Sequence, residues 1–187
     1  MKNQKLVLIY VVLALSHVLS ITSLVMQRNE IIMTLSLILK LFVTVKLLIP
    51  SRSKLLLASL IAQIASFGVS FISGTFLLAQ SGEIARAVGN QSFALQISYI
   101  LMGIADALVI LYVSKLSRNP FLTRIYQVLS FVMVMFVSVG TLGFAFPIPT
   151  ILDVMVSVFE VTGYAGFVAT LLTELYLNTK SLKTEEI

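Results

Sequence analysis

The sequence has no cysteine, no tryptophan, a single histidine and only four prolines in 187 residues. Without cysteine there are no disulfides, no thiol catalysis, no cysteine-ligated zinc and no iron–sulfur cluster. One histidine cannot supply, within one chain, a bis-histidine haem site or a multi-histidine metal site. Charge is scarce as well: Asp, Glu, Lys and Arg make up 11% of the chain, against about 25% in soluble domains. Without tryptophan, the aromatic belt at the membrane interface falls to tyrosine and phenylalanine.

What is abundant is apolar surface, at 58% hydrophobic residues. A water-soluble fold of this length could not hide that much of it, whereas lipid solvates it. A helix needs about 20 apolar residues to cross the ~30 Å hydrocarbon layer. Six runs meet that length: residues 6–26, 31–48, 55–79, 93–113, 125–146 and 151–177. They are too long, and too poor in polar alternation, for barrel strands. The expected fold is all-α, a single integral membrane domain of six transmembrane helices.

The breaks carry turn and cap residues. Gln27-Arg28-Asn29-Glu30 separates the first pair of runs, and Pro50-Ser51-Arg52-Ser53-Lys54 the second. The longest expected loop, 80–92, holds Gly82, Gly89 and Asn90. Asn119-Pro120 lies between the fourth and fifth runs, and Pro147-Ile148-Pro149-Thr150 between the fifth and sixth, with Thr150 placed to cap the last helix.

Lysine and arginine set the orientation. One side takes Lys2, Lys5, Lys46, Arg52, Lys54, Lys115, Arg118, Arg124, Lys180 and Lys183; the other takes Arg28 and Arg86. This alternation predicts both termini in the cytoplasm and a plasma-membrane location. It also accounts for the net charge of +5 without nucleic acid as a partner. The first run reads as a retained signal-anchor, since it is longer than a signal-peptide core and no A-x-A site follows. Residues 178–187 read as a short cytoplasmic tail with no output domain.

Two internal patterns stand out. Gln63 followed by Ser66-Phe67 recurs as Gln127 followed by Ser130-Phe131. A duplicated helical hairpin gives such a match, and so does chance in a restricted alphabet. Ala58, Ala62, Ser66, Ser70 and Gly74 recur every four residues, so they share one helix face. Gly163, Gly166 and Ala169 form a second small face, and Gly103 and Ala107 a third. Small residues let backbones approach closely in lipid. These faces serve packing within the bundle, or docking on a membrane-protein partner or a second copy.

The informative residues are the ionisable ones inside the apolar runs. Each costs about 2.5–3.5 kcal/mol at the bilayer centre on insertion scales, so they are expected to face one another or water. Counting about 1.5 Å per residue, Lys40 falls mid-membrane and His17 within about a turn of the middle. By the same count Asp106 lies about 4–5 Å to the cytoplasmic side and Glu160 about 6 Å to the outer side. Lys40 is within reach of either acid. Asp153 and Glu174 fall near opposite ends of the sixth run, where snorkelling is expected. Polar stripes accompany the charges: Ser36, Lys40 and Thr44; Gln96, Tyr99, Gly103 and Asp106; Asp153, Ser157, Glu160 and Tyr164; and Tyr10 with His17. The candidate site is therefore Lys40, Asp106, Glu160, His17, Tyr99 and Tyr164.

Gly103-Ile104-Ala105-Asp106 resembles the Gly-x-Gly-Asp motif of intramembrane aspartyl proteases but departs at its third position. The second aspartate, Asp153, lies far from it in depth, whereas that chemistry needs two carboxyls sharing a proton. Ser73-Gly74 lacks the first glycine of the Gly-x-Ser-Gly turn of rhomboid-type serine proteases. The sequence thus points away from an enzyme and from a bound cofactor. Two functions remain. One is binding or transport of a small solute, an ion or protons at a midplane polar site. The other is an accessory or assembly subunit of a larger membrane complex.

Overall fold

A computed structural model describes residues 2–26, 30–79, 84–145 and 150–184, with side chains placed for 6–26, 31–71, 97–139, 141 and 154–179. These residues form six helices and no sheet: α1 (Lys2–Val25), α2 (Glu30–Ser51), α3 (Lys54–Ala79), α4 (Ile84–Leu116), α5 (Pro120–Ala145) and α6 (Thr150–Thr184). Each contains a stretch long and apolar enough to cross a membrane. The chain is a polytopic membrane helical bundle, as its apolar runs require.

Helix lengths exceed the apolar runs where polar residues extend a helix beyond the hydrocarbon. α4 is 33 residues long and begins at Ile84, so most of the expected 80–92 loop is helical. α6 is 35 residues long and continues to Thr184. At about 1.5 Å per residue both are longer than the ~30 Å layer. Hydropathy marks where lipid begins, not where backbone hydrogen bonding stops.

Local chemistry fixes the turns at the lysine-rich end. Asn119 caps α5, its Oδ1 accepting from the Phe121 and Leu122 amides at 2.9 and 3.4 Å, and Pro120 fills the first helical position, where no amide is needed. Between α2 and α3, Arg52 adopts a left-handed φ of 50°, and its amide still donates to the Leu48 carbonyl at 2.8 Å. A residue in this conformation ends a helix and reverses the chain. Thr150 opens α6, but its side chain, like those of Gln96 and Asp153, lies outside the described residues, as do the surroundings of Gly74.

Each helix packs on the next, and α6 packs back on α1, closing a ring. The outside is apolar: Ile31, Ile38, Phe71, Val128, Phe131 and Val158 are among its large exposed side chains. Many polar residues are inside, including Ser16, His17, Lys40, Gln63, Asp106 and Glu160. This inversion suits a lipid solvent, which has no polar partners to offer.

The small-residue faces are used within the chain. Ser66 and Ser70 hydrogen-bond the Ser98 hydroxyl of α4 at 2.8 and 2.7 Å, and Ser59 donates to the Ala105 carbonyl at 2.9 Å. Ala62 is buried in the same stripe and Ala58 is exposed. A Cβ on Gly103 would lie 2.7 Å from Phe136 and Val137 of α5. Gly163 and Gly166 admit Met133 and Leu129 of α5 in the same way, while Ala169 faces outward. Close α3–α4, α4–α5 and α5–α6 packing accounts for most of these small residues. The two glutamines of the internal match differ: Gln63 is buried and Gln127 is exposed.

Candidate functional site

Four helices bring their intramembrane polar groups to one point. α2 presents Ser36, Lys40 and Thr44 on a single buried face, at 2%, 1% and 1% exposure. Lys40 Nζ donates to Asp106 Oδ2 of α4 at 2.8 Å. Tyr164 of α6 donates its hydroxyl to the same oxygen at 2.9 Å, and Lys40 Nζ lies 4.6 Å from the Tyr164 ring centroid. His17 of α1 completes the cluster, with Nε2 3.7 Å from Asp106 Oδ1. The His17 ring packs T-shaped against two aromatics, at 5.4 Å from Tyr164 and 4.8 Å from Phe167 between centroids.

This pairing decides a choice that reach alone leaves open. Lys40 bonds Asp106, while Glu160 stands in the wall of an adjoining cavity of about 40 Å³. Ser20, Ser36, Lys40, Tyr99, Glu160 and Tyr164 are among its lining residues. A water needs roughly 10–15 Å³ of such space, so the cavity has room for a few waters or one small ion. Tyr99 also donates to Met33 Sδ at 3.7 Å. All six candidate residues thus belong to the cluster or its cavity. Lys40 and Tyr164 belong to both.

Serine and threonine extend the cluster in two directions. Ser36 donates to the Ser16 carbonyl at 2.7 Å and bonds the Ser20 hydroxyl at 2.8 Å, tying α2 to α1. Below Lys40, Gln63 of α3 donates to Thr44 at 3.1 Å and to Ser59 at 3.3 Å. Gln63 Oε1 is buried without a hydrogen-bond partner among the described residues. Gln63 and Ser59 escaped the sequence reading because they sit among small residues that read only as packing. The clue was that an amide buried in lipid needs partners.

Two expectations for α6 are corrected. Ser157 is exposed, so the polar stripe there reduces to Glu160 and Tyr164 among the described residues. Glu174 does not snorkel: it is 5% exposed and accepts the Tyr126 hydroxyl at 2.7 Å. The helix runs about 15 Å past it, so the end of the apolar run is not the end of α6. Tyr10 is also buried nearby in the main core. Phe167 separates this second polar region from the first, its ring meeting His17 at 4.8 Å and Tyr126 at 5.8 Å.

The cluster joins one lysine, one aspartate, one tyrosine and one histidine in the buried interior, beside a small cavity walled by a second acid. It can hold charge in balance, exchange hydrogen-bond partners and accept a proton or a small cation. Among the described residues no three His, Asp or Glu side chains gather as a metal site. Comparison with protein-family models, curated proteins and solved structures finds no match to this chain.

Proposed function

We propose that this chain binds or carries a small solute, an ion or protons across the plasma membrane, at a polar site half-way through the bilayer, with both termini cytoplasmic and no catalysis of its own. The observation that carries this reading is the convergence of His17, Lys40, Asp106 and Tyr164 on a cavity that Glu160 lines. Ionisable groups in a membrane interior are costly, face the bundle interior and often line substrate, ion or proton pathways. A lysine–aspartate pair held by one carboxylate oxygen also makes a displaceable latch: a cation entering the cavity competes with Lys40 for the acids.

The accessory-subunit reading draws less support. It calls for an extended small-residue face left free, and on that face Ser66 and Ser70 are bonded to α4 and Ala62 is buried. Purification in mild detergent discriminates the two: a lone species agrees with transport, and stoichiometric partner proteins agree with the accessory role.

The direct test uses proteoliposomes challenged with gradients of protons, sodium, potassium and a panel of small solutes. Wild-type protein should bind or move at least one of these. Asp106→Asn and Glu160→Gln should still insert as folded protein, the first at some cost in stability because it leaves the Lys40 ammonium without its counter-charge, yet lose that activity. If both variants simply fail to accumulate, the cluster is a packing device and the reading falls.

A further inference from the structure

The hydrogen bonds around His17 fix where its protons are. Nδ1 lies 2.8 Å from the Leu13 carbonyl oxygen. That oxygen can only accept, so Nδ1 carries a hydrogen and donates it. The Ser16 hydroxyl donates to the same carbonyl at 2.7 Å, so its 3.2 Å approach to Nδ1 changes nothing. The free valence of the ring is therefore Nε2.

Nε2 faces Asp106 Oδ1 at 3.7 Å. Both atoms are buried, and neither has a hydrogen-bond partner among the described residues. The carboxylate's other oxygen is committed to Lys40 and Tyr164. Without a further proton, two lone pairs oppose each other and cannot close. With one proton they form a charge-assisted bond, ordinarily about 2.7–2.9 Å long. The gap is thus about 1 Å wider than the loaded bond.

The groups facing the imidazole are Lys40 from α2, Asp106 from α4 and Tyr164 from α6, with Glu160 and Tyr99 in the adjoining cavity. α3 has no titratable residue between Leu55 and Phe71. Tyr126 of α5 stands behind the Phe167 ring.

We propose that the gap between His17 Nε2 and Asp106 Oδ1 is a binding site for one proton, and that this proton is the ion the mid-membrane site carries or is driven by. The proposal rests on the transport reading above and names its ion. Loading forms one N–H bond at Nε2 with a proton from cavity water. Release breaks that bond and returns the proton to water. Lys40 and Tyr164 connect the cavity to the pair, since both line the one and touch the other. Loading draws Oδ1 toward the imidazole and so loosens the hold of Oδ2 on Lys40.

The chain's single histidine and its two aspartates, Asp106 and Asp153, make the site directly visible. Nitrogen-15 spectra of histidine-labelled protein in lipid nanodiscs should show Nδ1 protonated throughout. Nε2 should gain one proton in a single step as pH falls. Carbon-13 labelling of the aspartate carboxyls should show one of the two signals moving in that same step. Asp106→Asn should remove that carbon signal and displace the nitrogen step to a different pH. The proposal is overturned if Nε2 keeps one state from acidic to alkaline pH, or if its step is unchanged in Asp106→Asn. The wild-type co-titration stands as a test even if that variant does not fold. In proteoliposomes His17→Gln should bring proton flux down to that of protein-free vesicles; undiminished flux overturns the proposal. Should proton binding be absent while Asp106→Asn still abolishes solute uptake, the transport reading survives and the proton assignment fails.

Discussion

Of the three acids buried among the described residues, Asp106, Glu160 and Glu174, the first and the last keep different company. Asp106 has a lysine, a tyrosine and a histidine within reach, and a cavity beside it. Glu174 accepts one tyrosine hydroxyl, that of Tyr126, whose ring packs on Phe167 of the apolar core. The first arrangement compensates a charge with a charge and leaves room for an occupant. The second satisfies an acid with a neutral donor. Burial of an acid alone therefore does not single out Asp106; a formal counter-charge, an unsatisfied atom and a neighbouring cavity do.

The largest effect expected from breaking this contrast is at Lys40. Lys40→Met leaves the Asp106 carboxylate buried without its cation, a change that costs about 3–5 kcal/mol and should appear as a lowered unfolding midpoint and poor accumulation. Adding Asp106→Leu should recover most of that stability, since an apolar pair of similar volume is often neutral or better, while the double variant stays inactive. A double variant as unstable as the single one would mean that the pair is not a self-contained unit.

Tyr126→Phe tests the other acid. It removes the only described donor to Glu174 and should cost about 1–3 kcal/mol, the penalty of an unsatisfied buried polar group, with transport retained. Lost transport at normal stability would erase the distinction between the two regions. The smallest effect is expected at the α3–α4 seam. Ser66→Ala removes a hydrogen bond that Ser98 and Ser70 partly replace, and should lower stability by about 0.5–1.5 kcal/mol in the same unfolding assay.

The six spans were legible because lipid imposes a length and a composition that nothing else in the chain imitates. The candidate site was legible for a related reason: Lys40, Asp106, His17 and Glu160 are too costly in hydrocarbon to be left facing it. The partner of Lys40 was not legible, because a flexible stem reaches either acid and only packing of α4 and α6 decides. Glu174 was misplaced because hydropathy cannot see a helix continuing past its apolar part. Ser157 was misplaced because a serine on a lipid-facing surface can bond its own helix, so helical spacing alone did not assign it a side. The stripe from Ala58 to Ser70 read first as packing within the bundle, and that holds from Ala62 to Ser70, where Ser66 and Ser70 pair with Ser98, while Ala58 is exposed.

On the transport reading proposed above, Phe167 divides the membrane field. Its ring meets both His17 and Tyr126, and a hydrocarbon ring neither conducts ions nor orders a water file. Membrane potential falls most steeply across the least polar layers. On that reading a charge moving between cavity and imidazole does little electrical work, and one forced past the phenyl ring toward Glu174 does much more.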